Sequence, residues 1–159
     1  MNTTQDDFLL ISINTAKSPT TTVEILDFLS KHPSIDVRCK VAQNPNTKQE
    51  TLDYLSRDEN TDVRYWVARN PNTKPEALDY LSHDKSSYVR WRVARNSNTK
   101  PETLDVLSRD ENTDVREKVK QNPNYKNKIN IELSSDQHEA LKKLIASSQD
   151  PALRNVTLE

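Results

Sequence analysis

The sequence predicts an all-α solenoid, a stack of short two-helix repeats, and three observations support this fold class. The tetrapeptide NPNT occurs at 44–47 and 70–73 and returns at the same interval as NSNT at 96–99 and NPNY at 122–125. Leucine and valine recur with the same period. Only 33% of the 159 residues are hydrophobic and 30% are charged, against about 45–50% and about 25% in ordinary domains. A core this thin favours an elongated array over a sphere.

A self-alignment at the period of this tetrapeptide sets the boundaries of the array. Two leucine columns and two valine columns run through every copy: Leu26, Leu52, Leu78 and Leu104; Leu29, Leu55, Leu81 and Leu107; Val37, Val63, Val89 and Val115; Val41, Val67, Val93 and Val119. One period before the first copy lie Asp6, Ile11 and Ala16. We therefore predict a degenerate capping half-repeat at 1–17, a four-copy array at 18–124 and a C-terminal segment at 125–159.

Each copy contains two short helical segments. The first, such as TKPEALDYLS at 73–82, begins with Thr73 and Glu76 in capping-box spacing. The same spacing recurs at Thr21 and Glu24, Thr47 and Glu50, and Thr99 and Glu102. The second, such as SYVRWRVARN at 87–96, places its two valines on one face. Because isolated helices below about 12–15 residues are marginal in water, the copies must stack and bury their leucines and valines together.

The NPNT turn takes the place of glycine, which the chain lacks altogether. A residue that precedes proline is kept out of the α region, so we expect Asn70 to end its helix. Asparagine and threonine side chains can bond to the free backbone groups at the two helix ends. We therefore interpret the turn as architectural rather than as an array of ligand-binding asparagines.

The repeat unit resembles the leucine-rich variant repeat, a relative of HEAT repeats. The resemblance rests on DENTDVRYWVARNPNTKPEALDYL, from Asp58 to Leu81, and it covers residues 18–124. It implies a right-handed superhelical α-solenoid in which one helix of each copy can be a 3₁₀-helix. The founding member of the family is associated with an iron–sulfur cluster on a separate cysteine-rich segment. Cys39 is the single cysteine here, so the resemblance implies a fold without one fixed activity.

The C-terminal segment departs from the repeat. KINIEL at 128–133 alternates like a short strand, and SSDQHEALKKLIASS at 134–148 has the pattern of a helix with one apolar face. Together they faintly resemble the strand and first helix of ribbon–helix–helix DNA-binding proteins, but Pro151 leaves no room for the second helix. We therefore predict a strand–helix cap that covers the last copy, as solenoids require, followed by a tail.

No catalytic, metal or cofactor site is predicted. The histidines His32, His83 and His138 are scattered, and without glycine there is no glycine-rich phosphate loop. No apolar run approaches the roughly 20 residues that span a membrane, and the N-terminus is acidic where a signal peptide is basic. We therefore expect a non-enzymatic, cytoplasmic, monomeric protein with no cofactor and no membrane association.

Charge is segregated along the repeat although the net charge is −1. The second-helix segments at 37–44, 63–70, 89–96 and 115–122 carry a combined charge of +9, and the first-helix segments at 50–59, 76–85 and 102–111 carry −8. One surface is therefore expected to be basic and another acidic. A column of arginines keeps a constant register with a column of aspartates: Arg38, Arg64, Arg90 and Arg116, with Asp58, Asp84 and Asp110. We interpret these residues as a structural ladder between copies, as similar columns are in HEAT-like repeats.

Positions that the repeat does not fix are the candidates for function. They occupy two columns on one helix face: Lys40, Trp66, Arg92 and Lys118, and three residues later Arg69 and Arg95. Trp66 either packs sideways on a neighbouring helix or acts as a contact anchor, because Trp and Arg dominate interface hot spots. We expect the nearby Tyr65, Tyr88 and Trp91 to be partly buried, and Cys39 to fill the same semi-buried column as Tyr65 and Trp91.

Two functions are compatible with this pattern. The leading hypothesis is a scaffold that binds a protein or peptide of acidic character through the basic, tryptophan-containing face. The alternative is nucleic acid bound along the basic face, with aromatic side chains stacked on bases.

Overall fold

The computed structural model describes residues 4–125 and 135–147, and all regular structure in these residues is α-helical. Ten helices have defined bounds: α1 (Gln5–Lys17), α2 (Val23–Leu29), α3 (Ile35–Gln43), α4 (Gln49–Leu55), α5 (Thr61–Arg69), α6 (Pro75–Leu81), α7 (Ser87–Arg95), α8 (Pro101–Leu107), α9 (Thr113–Lys120) and α10 (Ser135–Ser147). The prediction of an all-α solenoid is confirmed. Helices α2 to α9 are the first and second helices of the four copies in turn, and α1 takes the place of a second helix before the first copy.

The second helices form one continuous layer. Helices α1, α3, α5, α7 and α9 pack side by side, and each first helix packs on the second helices before and after it. Every valine of the two predicted columns is fully buried, and no leucine of its two columns is more than 5% exposed. Burial of one such side chain is worth about 1.5–3 kcal/mol. The shared core therefore stabilises copies that are too short to be stable singly.

Both helices of each described copy are α-helices. In α6, the Leu78 N–H donates to Lys74 O (3.1 Å) and the Ser82 N–H donates to Leu78 O (2.9 Å), four residues back in each case. The 3₁₀-helix that the resemblance implied is therefore absent from the described copies. Pro75 and Pro101 stand in the first turns of α6 and α8, where a missing N–H leaves no helical bond unmade.

The capping boxes predicted for the first helices do not form. The N-cap of α6 is Lys74 rather than Thr73, and no side chain caps it. The N-caps of α2, α4 and α8 are likewise one residue later than predicted: Thr22, Lys48 and Lys100. Thr73 is fully buried, and its hydroxyl donates to Val67 O (2.6 Å) in the last turn of the preceding helix. The prediction was wrong because a buried carbonyl at a helix end competes for this hydroxyl.

The asparagine that opens each turn bonds to the copy before it. The side-chain amide of Asn70 donates to Ala42 O (2.8 Å) and Asn44 O (3.2 Å), and its Oδ1 accepts the N–H of Asn72 (2.8 Å). Equivalent amide bonds are made by Asn44, Asn96 and Asn122. All four asparagines are buried, so these bonds replace the water that the buried carbonyls have lost. The architectural interpretation of the turn is supported, and the turn also links neighbouring copies.

Proline is not what fixes the shape of this turn. Asn70, before Pro71, has φ −69° and ψ 128°, and Asn96, before Ser97, has φ −71° and ψ 132°. Asn70 ends its helix as predicted, and Asn96 does so without a following proline. The asparagine bonds therefore hold the turn, and Asn96 keeps the dihedral angles of Asn70 although serine follows it.

The C-terminal helix is present within the segment predicted for it. Helix α10 covers Ser135–Ser147, inside the predicted 134–148. The strand predicted at 128–133 and the tail after 147 lie outside the described residues. In α10, Leu144 is 66% exposed, and the role of this helix as a cap stays a prediction. None of the helices in the described ranges has the length and apolar character needed to cross a membrane.

Candidate interaction surface

The arginine and aspartate columns meet between copies. The Nε and Nη2 atoms of Arg64 lie 2.5 Å and 3.1 Å from the two carboxylate oxygens of Asp84, which belongs to the next copy. The two side chains are only 8% and 5% exposed. The same geometry joins Arg38 to Asp58 and Arg90 to Asp110. The bond to aspartate raises the pKa of each of these guanidinium groups.

Arg116 lies in the same column but has no carboxylate partner among the described residues. Its Nη1 donates to Asp110 O (2.6 Å) and Glu111 O (2.9 Å), and its Nη2 donates to Thr113 Oγ1 (3.0 Å). Arg64 makes the equivalent three bonds inside its own copy. Arg116 is therefore a reference for the bond to the next copy, and it is half-buried where Arg64 is buried.

Asp110 gives this ladder a pH dependence. Burial opposes ionisation of Asp110, but bonds from Arg90 and from the N–H of Asn112, with the charge of Arg90, outweigh it and lower its pKa. The ionised form therefore contributes stability that is present above the unfolded pKa, near 3.8, and is lost as the pH falls through the lower folded pKa. We expect the urea midpoint to fall as the pH is lowered toward and below 3.8. The variant Asp110→Asn does not titrate in this range, so its urea midpoint should be lower at neutral pH and should fall less on acidification. An equal fall of the midpoint in the variant and in the wild type would contradict this account.

The candidate binding residues share one surface. They lie on the second helices, and we call the surface that they form the arginine–aromatic face: Lys40, Trp66, Arg69, Arg92, Arg95 and Lys118. Arg69 and Arg95 are exposed, and the other four are half-buried. Trp66 packs against the core and meets Tyr65 edge to face, with ring centroids 5.3 Å apart. The guanidinium of Arg69 lies 4.8 Å from the centroid of the Trp66 ring. The indole is therefore half-buried, and a cation covers one of its ring faces.

Cations cover the aromatic rings from one copy to the next. The guanidinium of Arg92 lies 4.6 Å from the ring centroid of Tyr65, in the copy before, and 4.9 Å from that of Trp91. The ammonium of Lys118 lies 5.0 Å from Trp91, and the guanidinium of Arg95 lies 5.7 Å from it. Such contacts are worth about 0.5–2 kcal/mol each. They hold the basic side chains in place but leave their charge unneutralised.

Arg92 is the least satisfied member of the face. Its Nη2 donates to the Tyr65 hydroxyl, whereas its Nε is buried and has no hydrogen-bond partner in the described chain. A buried unpaired donor costs about 1–3 kcal/mol. No ion pair within the described ranges includes Arg69, Arg92 or Arg95. The face thus carries positive charge that the described residues do not compensate.

Two open clefts lie beside Arg92. The first, about 270 Å³, is lined by backbone and basic side chains between α5 and α7, among them Arg69, Pro71, Arg92, Arg95, Asn96 and Ser97. The second, about 490 Å³, is lined by aromatic and charged side chains, among them Tyr65, Tyr88, Trp91, Asp114, Glu117 and Lys118. Only the second has carboxylates in its lining, so the first is the more strongly cationic of the two.

The face is not basic throughout. Asp36, Asp62 and Asp114 expose carboxylates at the N-terminal ends of α3, α5 and α9, while the cations lie toward the C-terminal ends. Tyr88 holds this place in the third copy and is 76% exposed, so the expectation of partial burial was wrong. Tyr88 is exposed because its position in the repeat faces solvent in every copy, and the other three copies have an exposed aspartate there. Cys39, predicted to be semi-buried, is buried more deeply than Tyr65 and Trp91 of the same column, and burial raises its pKa to about 11.

The contacts between cations and rings of neighbouring copies were not predicted. Arg92 follows Tyr65, and Lys118 follows Trp91, by one full period of the repeat and one further position. The helices of neighbouring copies lie side by side, so this spacing brings each cation onto the preceding ring. A search of the sequence for cations at this offset from aromatic side chains finds both pairs.

Comparison with known proteins identifies the repeats. Within the described residues, no three His, Cys, Asp or Glu side chains are grouped so that they could hold a metal ion. A search of curated proteins finds no match. Residues 38–90 match the family model described as the leucine rich repeat variant domain. Asparagine bonds of this kind reach beyond the match on both sides, from Ala16 O, which accepts from Asn44, to Asn122, which donates to Ala94 O. Residues 38–90 are therefore similar to leucine-rich variant repeats, and the helical repeat array is consistent with a HEAT-like solenoid.

Proposed function

We propose that the protein is a non-enzymatic scaffold that binds an acidic segment of a protein partner on the arginine–aromatic face. One observation carries this proposal. The ladder arginines Arg38, Arg64 and Arg90 each have an aspartate partner, whereas the described part of the chain supplies no carboxylate partner to the arginines of the face. Uncompensated guanidinium groups held on aromatic rings are a common way to recognise carboxylates, because the fork of N–H donors fits them.

The occupied rings favour an acidic protein segment over nucleic acid. Single strands bind by stacking bases on free aromatic faces. Arg69 lies over Trp66, and Arg92, Arg95 and Lys118 lie around Trp91. A base would have to displace these cations before it could stack. The exposed aspartates at the other end of the same helices also repel a long polyanion, which a short acidic segment avoids.

Binding of a synthetic peptide rich in Glu and Asp tests this proposal. We expect a micromolar dissociation constant that weakens with salt, measured by fluorescence anisotropy of the labelled peptide. The double variant Arg69→Gln and Arg95→Gln should weaken binding about tenfold, or about 1.4 kcal/mol. Both residues are exposed and make no ion pair, so the fold should be unaffected.

Arg57→Gln is the matched control. Arg57 is also exposed and also covers an aromatic ring, that of Tyr80 at 4.4 Å, but it belongs to the first-helix side of the array. We expect this variant to bind the peptide like the wild type. Equal weakening by the control, or a single-stranded oligonucleotide that binds more tightly than the peptide at the same salt, would contradict the proposal.

A further inference from the structure

The cleft between α5 and α7 concentrates the positive charge of the face. Arg69, Arg92 and Arg95 all line it, and no carboxylate does. Its lining differs from copy to copy. One period earlier, the positions of Arg69, Arg92 and Arg95 are occupied by Gln43, Trp66 and Arg69. One period later, they are occupied by Arg95, Lys118 and Gln121. Three arginines therefore converge at only one place among the repeats.

Arg92 is held in position at this cleft before any ligand arrives. Its guanidinium lies between the rings of Tyr65 and Trp91, at 4.6 Å and 4.9 Å from their centroids. One donor is used by the Tyr65 hydroxyl, and the buried Nε has no partner in the described part of the chain. A fixed guanidinium loses little side-chain entropy when it binds an anion.

Ser97 is the one departure from the NPNT frame at its second position, and it lines this cleft. The other three copies have Pro45, Pro71 and Pro123 there. Proline has neither an N–H nor a hydroxyl, and Ser97 supplies both. Neither donor has a partner among the described residues, and the asparagine that opens the turn has nearly the same φ and ψ before serine as before proline. The substitution therefore changes the chemistry of the cleft and not the fold.

We propose that this cleft binds the dianionic phosphoryl group of a phosphorylated serine or threonine. The inference rests on the proposed function, since the phosphorylated residue would lie in the acidic partner segment. A side-chain carboxylate carries one negative charge, whereas a phosphate monoester carries about −1.5 to −2 at neutral pH and three strong acceptor oxygens. Three guanidinium groups with two further donors from Ser97 match that charge and number of acceptors better than they match one carboxylate.

The test uses one peptide in three forms, with uncharged residues around a phosphoserine, a glutamate or a serine. Trp66 and Trp91 are the only tryptophans of the chain and both lie under cations of this cleft. Their fluorescence should therefore report occupancy directly. We expect the phosphoserine peptide to bind about tenfold more tightly than the glutamate peptide, because charge-assisted bonds to phosphate are stronger and more numerous. The serine peptide should not bind.

Two variants and one control locate the site. Ser97→Pro restores the residue of the other copies, so the urea midpoint should not fall, but binding of the phosphoserine peptide should weaken about threefold to tenfold through lost hydrogen bonds. Arg95→Gln should weaken it about tenfold or more. Arg57→Gln, on the first-helix side, should change nothing.

Each other outcome has a defined meaning. Equal affinity for the phosphoserine and glutamate peptides overturns the phosphoryl site and leaves the proposed function standing. If neither these peptides nor the Glu- and Asp-rich peptide binds, both proposals fail. Unchanged phosphopeptide binding in Ser97→Pro overturns the site. Displacement of the phosphoserine peptide by an equally tight single-stranded oligonucleotide also overturns it, because the ligand is then a phosphodiester.

Discussion

Arg64→Ala is expected to lower the free energy of unfolding by about 3–5 kcal/mol. Both carboxylate oxygens of Asp84 bond to Arg64, and both side chains are less than a tenth exposed. Removal of the arginine leaves Asp84 as a nearly buried charge whose remaining bond comes from the N–H of Ser86 (2.9 Å). Urea unfolding followed by circular dichroism measures the loss.

Arg116→Ala is the control for this variant. Arg116 makes the same three bonds within its own copy but has no carboxylate from another copy among the described residues. Its removal should cost only about 1–2 kcal/mol, and the difference between the two variants measures the link between copies. Equal losses would contradict the ladder and would make Arg64 a candidate for the binding surface.

A double substitution separates the buried charge from the lost packing. In Arg64→Met with Asp84→Leu, no charge is left unpaired, and apolar replacement of a buried ion pair is often neutral or stabilising. We expect this protein to recover most of the stability that Arg64→Ala loses. A double variant no more stable than Arg64→Ala would mean that shape, and not charge, governs this position.

The period of the sequence predicted the core because every copy buries the same columns. A leucine or valine that recurs at each copy has to face the inside of the stack in all of them, and each one does. The period does not say which neighbour a residue faces. Arg64 lies six residues after Asp58, yet its carboxylate partner is Asp84 of the next copy. That choice depends on the packing of the second helices, which has no signal in one copy alone.

Local rules failed where two of them competed for one side chain. The capping-box pattern considers only residues close in sequence within one helix start. It does not include the buried carbonyl of Val67, which accepts the hydrogen bond from the Thr73 hydroxyl. Tyr88 was judged from its aromatic neighbours, whereas its column of exposed aspartates was the better guide. The two columns of candidate binding residues were predictable as sites that vary between copies. The unpaired Nε of Arg92 was not, because it depends on three-dimensional contacts with Tyr65 and Trp91.

The second large effect is expected at the turn, where Asn70→Ala should lower the free energy of unfolding by about 3 kcal/mol. The variant removes the two amide bonds to Ala42 O and Asn44 O, and of these two carbonyls Asn44 O keeps a bond from the Thr47 N–H (3.2 Å). It also removes the Oδ1 that accepts the N–H of Asn72. Because Asn70 links its copy to the one before it, we expect the loss to appear as earlier urea unfolding of the array.

Pro71→Ser is the matched control, since it gives the second turn the sequence that the third copy already has at Ser97. Proline restricts the unfolded chain, so its loss should cost only about 0.4–1 kcal/mol. The backbone should stay the same, because Asn96 holds φ −71° and ψ 132° without a following proline. If Pro71→Ser proved as damaging as Asn70→Ala, proline would be the element that fixes the turn, and the asparagine bonds would be a consequence of its shape rather than the cause.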